Sequence, residues 1–82
     1  MPHVVATCSS VRAFTGGVST FDVEADSVPR LIRALDARYP GLGDHIRTKL
    51  AIAIDGEIHQ NVGDVPLFET TEVVLIPKIG GG

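Results

Sequence analysis

Apolar and polar positions along the chain follow two different periods, and the change from one to the other marks out its elements. Residues 3–9, from His3 to Ser9, are small and β-branched without helical spacing, which predicts a strand. A polar loop around Arg12, closed by Gly16-Gly17, is expected to follow it. From Val18 to Glu24, Val18, Thr20, Asp22 and Glu24 alternate with Ser19, Phe21 and Val23, the pattern of a strand with one wet face. A glycine-containing loop between two such strands predicts a hairpin.

The period then changes. Asp26 and Ser27 can each cap a helix, and Pro29 falls in the first turn, where a missing N–H costs nothing. Val28, Leu31, Ile32, Leu35 and Tyr39 recur at helical spacing, with Arg30, Arg33, Asp36 and Arg38 on other faces. Pro40-Gly41 ends this helix, because proline disfavours helical dihedrals at Tyr39. Leu42 to Lys49 reads as one irregular helical turn. Leu50, Ile52 and Ile54 then alternate with Ala51 and Ala53, and Asp55-Gly56 supplies a type I′ turn into Glu57, Ile58 and His59. Residues 60–71 form a polar loop anchored by Leu67 and Phe68, and Val73 to Ile76 is a last strand stopped by Pro77. Two hairpins around one amphipathic helix predict an α+β fold in which a mixed sheet wraps the helix.

Composition narrows the function classes. The 82 residues allow one small domain, and 44% hydrophobic with 21% charged residues suits a globule. Mean hydropathy is +0.24. A net charge of −3 lacks the basic footprint of a nucleic-acid binder, and Tyr39 with three phenylalanines makes no stacking platform. No apolar run approaches the roughly 20 residues of a membrane helix. With a single cysteine, Cys8, there is no internal disulfide, so a cytoplasmic protein touching neither nucleic acid nor membrane is expected.

Candidate chemistry is sparse. His3, His45 and His59 lack metal-ligand spacing, and Gly16-Gly17 lacks the lysine and helix start of a phosphate loop. Cys8 in a strand reads as a small hydrophobe. The carboxylates are scattered, and no constellation suggests an autonomous enzyme. The last residues, Gly80, Gly81 and Gly82, are different. Two readings compete for them: a frayed terminus, to which glycine is suited, or a thin tail whose α-carboxylate reacts. Residues 79–82 extend about 13 Å, comparable with a radius of gyration near 12 Å for the body, so such a tail could reach a partner's buried site.

Several segments together resemble the ubiquitin-like sulfur carriers of the MoaD/ThiS type. They are Val11-Arg12-Ala13-Phe14-Thr15-Gly16-Gly17 after the first strand, the helix from Val28 to Tyr39 with Pro40-Gly41-Leu42, the hairpin from Leu50 to Glu57, and Ile76-Pro77 before the glycine end. The resemblance implies a β-grasp domain over residues 1–78 and a flexible tail over 79–82. It implies that an ATP-dependent, ubiquitin-activating-like enzyme adenylates Gly82, and that the product becomes a thiocarboxylate. Ile79, Gly80 and Gly81 would then thread the partner's tunnel. ATP would be used by that partner, and no cofactor would be bound by this chain.

A desulfurase or rhodanese-type protein would supply the sulfur. An acceptor such as a molybdopterin-synthase large subunit would take it, making this chain the non-catalytic small subunit of such a complex. The same resemblance, to the molybdopterin-synthase small subunit in particular, places Cys8, Ile58 and Ile76 on an apolar partner-facing patch. Ordinary strand packing accounts for the two isoleucines equally well. Lys78 beside the tail suits an acidic groove on the partner or simple solvation. Gly80 departs from the usual small or β-branched residue and leaves the final pair intact. Thiamin thiazole, cysteine and specialised metabolites are alternative destinations for the sulfur. Conjugation of Gly82 to lysines of other proteins, and a plain interaction domain with an incidental tail, are the remaining readings.

Overall fold

The first strand is shorter than its residues suggest, and a helix follows it where a loop is expected. In the computed structural model, which describes residues 1–59 and 65–78, β1 is His3–Ala6 and α1 is Ser9–Thr15. Thr7 leaves the sheet by donating both its N–H and its Oγ1 hydroxyl to the Leu75 carbonyl, each at 3.0 Å. Cys8, extended at φ −99°, stands at the N-cap of α1. Only Val11 and Thr15 of this helix are buried, so seven residues carry too little apolar period to announce it. Gly16, at φ 70°, closes the helix in the left-handed region. β2 (Thr20–Asp22) then pairs antiparallel with β1, as expected of a hairpin, but the connection between them is this helix.

α2 (Val28–Arg38) forms as its sequence predicts, with Ser27 Oγ accepting from the Arg30 N–H at 3.4 Å and Pro29 in the first turn. Its apolar stripe, Val28, Leu31, Ile32 and Leu35, is buried, while Tyr39 is half-buried with its ring 5.7 Å from that of Phe21. α3 (Leu42–Lys49) is a full two-turn helix rather than one irregular turn. The cause lies outside its own residues. Asp36 Oδ1, on α2, accepts from the N–H groups of Gly41 at 3.1 Å and Gly43 at 2.9 Å, and so takes up free donors at the start of α3. Leu42 and Ile46, one turn apart, are buried beneath it.

β3 (Leu50–Ile54) and β4 (Glu57–His59) form the expected hairpin, with Asp55 at φ 48° and Gly56 at φ 87°. The last strand, β5, is Glu72–Pro77. Of the loop before it, residues 60–64 lie outside the described residues. Leu67 anchors the remainder as expected, 5% exposed, and Pro66 bridges to Ser27. Phe68 does not anchor it. It is 65% exposed, because Leu67, its neighbour, takes the position facing the core.

The five strands make one mixed sheet in the order β2-β1-β5-β3-β4, with β1 and β5 parallel and the other pairs antiparallel. The core lies between one sheet face and the helices. Val4, Phe21, Ile52, Ile54, Val73 and Leu75 of the sheet meet Val11 of α1, Val28, Leu31 and Leu35 of α2, and Leu42 and Ile46 of α3 there. The fold is α+β, a mixed sheet wrapped around the main helix α2.

Candidate functional site

Strand register decides what the second face of the sheet offers. Paired residues share a face, and successive residues alternate. Val5, Val74, Ala53 and Ile58 therefore form one row across β1, β5, β3 and β4, with Ile76 and Ala51 paired in the next row. Val5, Val74, Ile76 and Ala51 are half-buried, Ala53 is covered, and Ile58 is 60% exposed. The open face thus carries an apolar strip along the middle of the sheet. Contiguous apolar surface of this kind suits a protein partner.

β5, in the centre of the sheet, carries Val74 and Ile76 of this strip toward Lys78. Its last described contact is the Lys78 N–H donating to the Lys49 carbonyl at 3.1 Å, which holds the end of β5 against the start of β3. Lys49 and Lys78 are both exposed there. Ile79, Gly80, Gly81 and Gly82 lie outside the described residues.

The structure thus brings Ile58 and Ile76 to one face of the sheet; Lys78 stands just past Ile76 at the end of β5, whereas Ile58 lies in the Val74 row, toward the opposite end. It corrects the placement of Cys8. This residue is not in a strand and does not face outward. It is 7% exposed and belongs to the core, with Sγ 3.9 Å from the Leu75 carbonyl oxygen, because Thr7 turns the chain inward before α1. Val5, Val74, Ala51 and Ala53 join the strip without having been singled out in the sequence. Their signal is the unbroken apolar runs Val4 to Ala6, Leu50 to Ile54 and Val73 to Ile76, since a strand apolar on both faces reads as a run rather than an alternation.

The histidines stay apart. His3 Nδ1 lies 3.0 Å from Asp22 Oδ1, and His45 Nε2 lies 2.8 Å from Ser10 Oγ with its ring against Phe14. His59 Nε2 is 3.9 Å from Glu57 Oε2. Among the described residues, no three histidine, cysteine or carboxylate side chains are placed to hold a metal ion, and no helix is long and apolar enough to cross a membrane.

A five-stranded mixed sheet with a parallel central pair, folded over one principal helix, is the architecture of a ubiquitin-like β-grasp protein. The chain belongs to the ThiS family, a family of ubiquitin-like sulfur carriers whose model matches residues 9–82. Small carriers of this family are in general not catalysts themselves. No curated protein matches the chain in sequence.

Among solved structures, CysO of Mycobacterium tuberculosis, described as an antigen, overlays with a TM-score of 0.83 at 17% identity, over 96% of this chain and 100% of that one. Small archaeal modifier protein 1 of Methanosarcina acetivorans overlays at 0.78 with 18% identity, over 99% and 95% of the two chains. A complex of subunits 1 and 2 of the Helicobacter pylori molybdopterin-converting factor gives 0.66 at 21% identity, over 99% and 97%. At these identities the likeness is one of fold.

Proposed function

We propose that this protein carries sulfur on the α-carboxylate of Gly82. The observation that carries the reading is that the family match runs through residue 82, five residues past the end of β5, the strand that carries Val74 and Ile76 of the apolar strip. A carboxylate is a poor electrophile, so its oxygen must first become part of a leaving group. Attack of that oxygen on the α-phosphorus of ATP, in a ubiquitin-activating-like partner, forms an acyl-adenylate and releases pyrophosphate. The outer sulfur of a persulfide on a desulfurase or rhodanese-type donor then attacks the carbonyl carbon and displaces AMP, and a thiol cleaves the resulting acyl disulfide, leaving the thiocarboxylate and a new disulfide on the donor side.

Ile79, Gly80 and Gly81 thread the partner's tunnel in this reading, while Ile58, Ile76 and the strip around them rest on its surface. Lys78 flanks the entrance. The first acceptor to test is a molybdopterin-synthase large subunit, since one of the similar structures is a two-subunit molybdopterin-converting factor. Thiamin thiazole, cysteine and specialised metabolites are the other destinations, and the partner's surface rather than the tail chooses among them. A second reading, conjugation through Gly82 to lysines of other proteins, is favoured by the likeness to a protein named as a modifier.

The test is intact-mass spectrometry after incubation with ATP, an activating enzyme and a sulfur donor. Sulfur carriage predicts a gain equal to the difference between sulfur and oxygen, lost when Gly81 and Gly82 are deleted. Isopeptide adducts ending in Gly82 point to the modifier reading. An unchanged mass, with an activating enzyme that demonstrably loads its own carrier, refutes sulfur carriage by this chain.

A further inference from the structure

We propose that the end of the sheet opposite the exit of β5 is a docking surface for a protein segment that combines one apolar side chain with lysine or arginine. A depression of about 520 Å³ opens there, with Pro2, Ala25, Leu67 and Phe68 as its apolar lining. Phe68, 65% exposed, is the most exposed large hydrophobic side chain among the described residues, and Leu67 beside it already ties the loop to the core. A solitary exposed phenyl ring needs no explanation, but one on the rim of a concavity gives a partner an edge to pack against.

The charge around the depression names the occupant. Glu24, Asp26 and Glu69 line it, three carboxylates against two cations, the Met1 α-ammonium and Arg30, the latter 3.6 Å from Asp26. Register extends the acidic rim along the strand ends. Asp22, His3 and Glu72 are paired across β2, β1 and β5, Asp55 Oδ1 accepts from the Glu72 N–H at 2.9 Å, and Glu57 begins β4 just beyond. Lys49 and Lys78 stand at the far ends of β3 and β5. The strands thus separate the two signs of charge along their length. A basic segment is drawn to this rim and an acidic one is repelled, while an uncharged apolar segment would strip water from carboxylates without compensating them. The surface lies at the end of the sheet opposite Lys78, the last described residue before Gly82, so it is proposed to remain available whichever enzyme holds Gly82.

The experiment titrates the isotope-labelled full chain with a capped eight-residue peptide in which one leucine is flanked by lysines and arginines, following backbone amide shifts. Shifts should concentrate at Glu24 to Asp26 and Leu67 to Glu72, and leave Ala51, Ile76 and Lys78 unmoved. Phe68→Ala should weaken binding about tenfold, and the pair Glu24→Lys with Glu69→Lys by about as much. All three positions are exposed and tolerate substitution, and unchanged far-ultraviolet dichroism confirms the fold. Deleting residues 79–82 should leave the affinity as it was. Equal shifts around Asp44, or affinity indifferent to Phe68→Ala, would reduce the effect to unspecific charge attraction and overturn the proposal. Concentration-dependent self-association in sedimentation, abolished by Glu69→Lys, would assign the surface to a second copy of the chain and overturn it equally.

Discussion

Asp36→Ala removes the acceptor on which α3 is built. In the native protein Asp36 Oδ1 takes hydrogen bonds from Gly41 at 3.1 Å and from Gly43 at 2.9 Å, joining the end of α2 to the start of α3. Gly41 is exposed, so its freed N–H finds water at small cost. Gly43 is buried, with its nearest surroundings supplied by Asp36 itself, and an unsatisfied buried donor costs about 1–3 kcal/mol. Together with the lost charge-assisted bond to Gly41, the expected destabilisation is about 2 kcal/mol, comparable with the loss of a helix cap. For a domain of this size that corresponds to a fall in Tm on the order of 10 °C.

Urea unfolding followed by circular dichroism, checked by calorimetry, measures it. The transition midpoint should fall at constant slope. Asp36→Asn keeps the oxygen acceptor and should lose less than about 1 kcal/mol. A loss below about 0.5 kcal/mol for Asp36→Ala, or equal losses for alanine and asparagine, would refute the idea that this carboxylate organises the turn. The consequence reaches the end of the molecule proposed to be functional. α3 delivers Lys49, whose carbonyl holds the N–H of Lys78 where β5 leaves the sheet.

Leu75→Ala, at a fully buried position in the central strand, should cost about 3–4 kcal/mol in the same unfolding assay, since the cavity lies between sheet and helices and cannot collapse freely. Ile58→Asp should change stability by less than about 0.5 kcal/mol, because the side chain is 60% exposed, yet should slow loading of Gly82 by the activating enzyme if the strip is its seat; normal loading would remove Ile58 from that surface. Cys8 should resist a thiol reagent in the native protein and react promptly in denaturant; rapid native labelling would contradict its burial at 7% exposure.

Much of the fold is legible in the residues because the relevant signals are local. Ser27, Pro29 and the stripe from Val28 to Leu35 specify α2, and Asp55-Gly56 specifies the β3–β4 turn by the positive dihedrals that these residues accept. The two short helices were not legible in full. α1 has little apolar period, and α3 owes its first turn to an aspartate on another helix. Phe68 shows the same limit from the other side, since hydrophobicity alone does not say which of two neighbours, Leu67 or Phe68, faces the core.

For the proposed site, the residues alone supply the chemical part of the reading: the glycines Gly80 to Gly82, separated from Lys78 by Ile79, with no competing catalytic constellation. They also determined that Ile58 and Ile76 lie in strands. Only the tertiary structure decided that these two share a face with Val5, Val74, Ala51 and Ala53, that Cys8 turns inward, and that the acidic strand ends gather opposite the two lysines. The reason is register. Backbone dihedrals and caps are set within a few residues, whereas which side chains meet across a sheet depends on how strands distant in sequence are paired, and a slip of one residue would send every one of them to the other face.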